Sequence, residues 1–151
     1  MGVKSIAIGC DPNASSFKEE IKKHLSELGY AYEDYGSDDV IYAKVAITVA
    51  ESVARGEYDR GILLCGTGIG MSIAANKVSG AYAALCSDAY STERAIKSNN
   101  ANIMTMGSQV IGVELAKALV TIWLKVEYDP KGRSELKNKQ IYTYAAEHSK
   151  H

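Results

Sequence analysis

This sequence has no excess of charge of one sign: 17 Lys and Arg are interspersed with 18 Asp and Glu, for a formal net charge of −1. Without a basic stripe, binding to nucleic acid through phosphate neutralisation is not expected as the main activity. Long apolar runs are missing too. VAITVA (45–50) and AYAALC (81–86) fall far short of the roughly 18 to 20 apolar residues that cross a bilayer, so no membrane partner is expected. The opening MGVKSIAIG has neither a long apolar stretch nor a small-residue cleavage site, and no secretory signal is expected. The three cysteines, Cys10, Cys65 and Cys86, form no CxxC pair and have no His/Cys ligand spacing. That argues against a disulfide framework or a metal site and for reduced thiols in a cytoplasmic protein. Histidine is scarce. His24, His148 and His151 all lie away from predicted strand ends, so the partner histidine of nucleophilic acyl transfer is missing. Linker composition, internal repeats and low-complexity tracts are also lacking, and the 151 residues read as one domain, a core over 1–128 and a C-terminal segment over 131–149.

What the sequence has is alternation. Short β-type apolar runs, KSIAIG (4–9), AYEDY (31–35), RGILLC (60–65), AYAALC (81–86) and NIMTMG (102–107), are separated by segments of helical period. Residues 16–28 place Phe17, Ile21, Leu25 and Leu28 on one face. Ser16 and Glu19 have the spacing of a capping box, and Gly29 is placed to end that helix. Val45, Val49 and Val53 form a second stripe stopped by Gly56, and Leu115, Leu119, Trp123 and Val126 form a third. Strands alternating with helices predict an α/β fold, a doubly wound sandwich around a five-stranded, mostly parallel sheet with right-handed crossovers. A last polar segment, 132–148, carries only Leu136, Ile141, Tyr144 and Ala145 as a thin apolar stripe. It reads as a surface helix, one that reaches a partner chain.

Ligands of such sheets bind at the carboxyl ends of the strands. Those ends here are Cys10-Asp11, Cys65 with the following GTGIG, Cys86-Ser87-Asp88 and Gly107-Ser108. Most informative is CGTGIGMSIAANK (65–77), a strand end, a glycine-rich turn and a helix start. Gly66, Gly68 and Gly70 let several backbone N–H groups point one way, where a helix N-terminus adds partial positive charge. The same glycines also serve a tight strand-to-helix turn with no ligand. The spacing does not match a P-loop, since Met71 follows Gly70 where Lys would stand. Nor does it match a cysteine phosphatase, whose arginine would also fall at Met71. A dinucleotide site would have Asp88 as its ribose-binding acid. Cys65, beside these donors, is expected to favour its thiolate and to act as a base. A base beside an oxyanion hole can remove a proton α to a carbonyl and hold the resulting enediolate.

GCD (9–11), CGTGIGMSIAANK (65–77), SNNAN (98–102) and GSQVIGVELAK (107–117) together resemble the ribose-5-phosphate isomerase type B family, which includes the galactose-6-phosphate isomerase subunits. The resemblance covers nearly the whole chain. It implies a Rossmann-like αβα sandwich and a homodimer or dimer of dimers with active sites shared between chains. It also implies interconversion of phosphorylated aldoses and ketoses through a cis-enediolate, without metal or cofactor. By position, Cys65 is similar to the family's base, and Thr67 with the amides of Gly66, Gly68, Gly70 and Met71 to its oxyanion-holding residues. Asp11, Tyr42 and Asn99 match sugar-contacting positions, and Arg133 and Lys137 match two phosphate-binding cations contributed by the neighbouring chain. Pro12, Ser98 and Gln109 depart from the pattern, standing where many members have His, the ring-opening His, and Arg. The resemblance implies ribose 5-phosphate to ribulose 5-phosphate as the reaction. Ser98 raises an alternative: a tetrose or tetrulose 4-phosphate cannot close a furanose and needs no ring-opening histidine. A second alternative is a non-catalytic subunit that binds a sugar phosphate or nucleotide.

Overall fold

The computed structural model describes residues 2–148. Five strands, β1 (Ser5–Cys10), β2 (Ala31–Asp34), β3 (Arg60–Cys65), β4 (Ala83–Leu85) and β5 (Ile103–Gly107), form one sheet. Their order is β2-β1-β3-β5-β4, and every pair is parallel. A short 3₁₀ turn (Pro12–Ala14) leads into α1 (Ser15–Glu27). The other helices are α2 (Tyr42–Ala54), α3 (Ile69–Ala75), α4 (Ala89–Lys97), α5 (Val113–Lys125) and α6 (Glu135–His148).

The period-2 alternation of the strands divides the core in two. Ile6, Ile8 and Cys10 of β1, Ile62 and Leu64 of β3, and Met104 and Met106 of β5 face α1, α4 and α5, where Ile21, Leu25, Ile96, Leu119 and Trp123 close the layer. Ala7, Leu63, Cys65 and Ile103 face the other way, onto Val49 and Val53 of α2 and Met71 and Ala75 of α3. The valine stripe of α2 seats closely there because β3 offers a glycine: a Cβ at Gly61 would stand 3.0 Å from Val49. Among the described residues no helix is long and apolar enough to cross a membrane.

Local details differ from expectation. The Ser16/Glu19 capping box does not form. Asp11 instead caps the 3₁₀ turn, its Oδ1 accepting from the Ala14 amide at 3.2 Å, and α1 continues from that turn with no side-chain cap of its own. Leu115 is 43% exposed rather than buried, because α5 turns Ala116, Leu119, Val120, Trp123 and Leu124 inward. β4 is shorter than its apolar run, pairing only over Ala83–Leu85. The polar C-terminal segment is helical from Glu135, and its apolar residues face outward, Leu136 being 78% exposed. Residue 149 and His151 lie outside the described residues. The helix is pinned by a polar side chain instead. Asn138, 1% exposed, donates to the Ser98 carbonyl at 2.7 Å and to the Tyr128 hydroxyl at 3.0 Å.

One buried cation gives the fold a pH dependence. Lys18, only 2% exposed, is paired with Asp34 at 2.7 Å. Burial works against the Asp34 charge, but hydrogen bonds from Lys18, Lys22 and the Gly36 amide outweigh it and hold the carboxyl down at about 2. A depressed carboxyl stabilises the fold fully above about pH 4 and loses that contribution as pH falls toward 2. Asp34→Asn is expected to cost roughly 2 kcal/mol at neutral pH, less than a fully buried pair because Asp34 keeps some solvent contact. The gap between wild type and variant in urea unfolding should shrink in acid. A gap independent of pH would refute this account.

Candidate active site

The chain leaves β1 toward β2 on one side and reaches β3 on the other, so the sheet changes direction between β1 and β3. Their carboxyl ends open the crevice where doubly wound folds bind ligands. The Asp11 amide donates to the Leu64 carbonyl at 3.1 Å and ties these two ends together.

After β3 the chain turns through Gly66-Thr67-Gly68 into α3. Gly68 is left-handed (φ 80°), and a Cβ there would stand 2.6 Å from Leu85 and 2.8 Å from the Met106 backbone. Conformation and space both demand glycine. The loop is held from β5: the buried Thr105 hydroxyl donates to the Gly68 carbonyl at 2.9 Å, while the Ser108 and Gln109 amides donate to the carbonyls of Cys65 at 2.8 Å and Gly66 at 3.0 Å. Thr105 and Leu85 shape this loop although nothing in the motif names them.

Two loop amides are used internally. The Gly68 N–H donates to Cys65 Sγ at 3.0 Å, and the Ile69 N–H to Thr67 Oγ1 at 3.2 Å. The first bond internal to α3 runs from the Ser72 amide to the Gly68 carbonyl, so the Gly70 and Met71 amides precede it and, with those of Gly66 and Thr67, are donors left for an oxyanion. Met71 contributes through its backbone, its side chain being core. Tyr42, the first residue of α2, lies over this turn: a Cβ at Gly70 would stand 2.5 Å from its ring. Asp11, Tyr42, Cys65 and Thr67 thus flank one corner of the sheet.

Only one of the three thiols faces this loop. Cys10 and Cys86 belong to the opposite core layer, where burial pushes each thiol up to about 11. Cys65 lies in the α2/α3 layer with an N–H aimed at its sulfur. Asp88, the ribose-binding candidate, caps α4, its carboxylate accepting from the Ser91 amide at 2.7 Å.

Ser98 and Asn99 stand elsewhere. α4 carries the chain back from the carboxyl edge of β4 to the amino edge of β5, as a crossover between parallel strands must. Its C-terminal end is therefore remote from the Cys65 loop within one chain. There Ser98 and Asn99 join Arg133 and Lys137 around a cavity of about 390 Å³, completed by Tyr90, Arg94, Ser134 and Asn138. Arg133 precedes α6 and Lys137 lies near its start, and both reach this cavity. None of Asp11, Tyr42, Cys65 and Thr67 lines it. The expected residues thus form two groups, one carrying a thiol and amide donors, the other cationic. Among the described residues no group of three or more His, Cys, Asp or Glu could hold a metal ion.

A parallel α/β sheet with a thiol and amide donors at its switch point, and a separate cavity lined by Arg94, Arg133 and Lys137, suits proton transfer on an anionic carbonyl substrate. The chain belongs to the Ribose/Galactose Isomerase family, whose profile matches residues 6–141, and it is an isomerase of that family. It is 48% identical over 132 residues to the D-erythrulose-4-phosphate isomerase of Pectobacterium atrosepticum, covering 85% of this chain and 87% of that protein. It is equally 48% identical over 135 residues to the ribose-5-P isomerase B of Listeria innocua, covering 87% of this chain and 90% of that one. Among solved structures, the Clostridium thermocellum ribose-5-phosphate isomerase B superposes with a TM-score of 0.89 at 39% identity, covering 95% of this chain and 98% of that one.

Proposed function

We propose that this chain interconverts an open-chain tetrulose 4-phosphate and its aldose through a cis-enediolate, in sites that two copies of the chain build together. One observation carries the substrate assignment: the cationic cavity presents Ser98, and among the described residues no histidine lines it. Opening a pentose furanose moves protons between the ring oxygen and the anomeric hydroxyl, work an imidazole does well near neutral pH and a serine poorly. The described histidines are engaged elsewhere. His24 bonds Thr121 at 2.7 Å, and His148 stacks on Tyr144. A tetrulose 4-phosphate has no free hydroxyl with which to close that ring.

In this reading the Cys65 thiolate takes the proton from the carbon next to the carbonyl and returns it to the neighbouring carbon. The Gly70 and Met71 amides and the Thr67 hydroxyl hold the enediolate oxygen, and Asp11 and Tyr42 contact sugar hydroxyls. Arg133 and Lys137 of the second copy bind the phosphate, with Ser98 and Asn99 beside them. The separation of the two groups within one chain supports the shared site. The second reading is ribose 5-phosphate isomerisation, favoured by a ribose-5-P isomerase B relative of equal identity. Comparing kcat/KM on erythrulose 4-phosphate and ribose 5-phosphate separates them. The tetrulose is expected to be at least about tenfold better, and faster turnover of the pentose overturns the assignment.

A further inference from the structure

Arg94 sits one helical turn before Ser98 on α4 and lines the same cavity as Arg133 and Lys137. Its neighbours on the helix face are informative. Lys97, which does not line the cavity, is paired with Glu93 at 3.4 Å. Arg94, Arg133 and Lys137 take part in no ion pair among the described residues. Among the described residues no carboxylate lines the cavity, whose other members are hydroxyl or amide side chains. Three unpaired cations around about 390 Å³ repel one another and are held together by the fold. Part of that restraint is visible: Asn138, bonded to the Ser98 carbonyl, joins the helix that carries Arg94 to the one that carries Lys137.

We infer that Arg94 is a third anion-binding residue of this isomerase, closing on the substrate's phosphate from the α4 side while Arg133 and Lys137 close from the α6 side. A guanidinium reaching in from a second helix contributes a planar pair of donors at a different angle. The three cations together match a phosphate dianion better than a singly charged group. This inference rests on the phosphate role assigned to the cavity in the proposed reaction.

The test is Arg94→Gln in the full-length protein, with Arg94→Lys beside it. KM for whichever sugar phosphate the wild type turns over should rise about 10- to 100-fold, with kcat changed by less than about threefold, as expected when one charged hydrogen-bonding partner is lost. The inhibition constant of inorganic phosphate should rise by a similar factor, and Arg94→Lys should recover part of both. An unchanged KM and phosphate inhibition constant in Arg94→Gln overturns the inference. A fall in kcat with unchanged phosphate binding overturns it as well, since that is the signature of a merely structural residue. If the wild type isomerises no sugar phosphate, the proposed reaction fails by itself. Calorimetric titration of inorganic phosphate into wild type and Arg94→Gln then still tests Arg94: weaker binding in the variant supports it, and equal binding overturns it.

Discussion

Cys65→Ala is expected to lower kcat by about two to four orders of magnitude, the range in which a positioned acid–base group acts, and to abolish solvent-deuterium uptake at the substrate carbon. The fold should survive. The substitution removes one sulfur from a small, nearly buried side chain and one hydrogen bond, from Gly68, while the loop keeps its attachments to β5 through Thr105, Ser108 and Gln109. Cys10→Ala and Cys86→Ala are the matched controls. Both thiols are buried in the opposite layer and pushed up to about 11, so neither variant should change the rate by more than the loss of a little stability allows. Deuterium uptake at the wild-type rate in Cys65→Ala would remove the thiol from the mechanism.

Two inactive variants should restore activity to each other. Cys65→Ala loses the proposed base, and the double variant Arg133→Gln/Lys137→Gln loses two cations of the proposed phosphate site, so each alone should retain less than about 1% of wild-type activity. In a dimer with shared sites, random reassociation makes half the dimers mixed. Each mixed dimer combines an intact loop from one chain with an intact cavity from the other in one of its two sites, which predicts about a quarter of wild-type activity. Refolding the variants together, or producing them together, allows the exchange. Activity no greater than the sum of the separate variants would place both groups in one chain's site and refute the shared arrangement. Dilution of the wild type below its dimer dissociation constant should give the same answer by another route.

The layered fold was legible because its strongest signals are the least ambiguous ones. β1, β3 and β5 are short apolar runs ending at Cys10, Cys65 and Gly107, and a buried parallel strand shows in just that way. The ends of elements were less so. The Ser16/Glu19 spacing has the form of a capping box, but Pro12 favours a tight turn immediately after β1, and Asp11 caps that turn instead. Leu115 satisfies the helical period yet faces outward, because the period fixes which residues share a face and tertiary packing decides which face is buried. The residues of the Cys65 loop could be found from the glycine spacing, since a strand end followed by glycines and a helix start is a local event. Placing Ser98 and Asn99 required the chain's direction: a segment that follows a crossover helix and precedes a strand belongs to the amino edge. Arg94 carried no local signal. That it is unpaired while its neighbour Lys97 is paired depends on side-chain geometry that no spacing encodes.

The return of α4 to the amino edge also bears on descent. With the Cys65 loop at one edge of the sheet and the cationic cavity at the far end of a crossover helix, substitutions in one need not disturb the other. Under the proposed shared site, after a gene duplication one copy could lose its thiol and the other its cations, and the pair would still assemble one working site from the intact halves. Under the same proposal, drift in the cavity would change which sugar is held without disturbing the chemistry, and the architecture would accommodate an obligate partnership of two unequal chains.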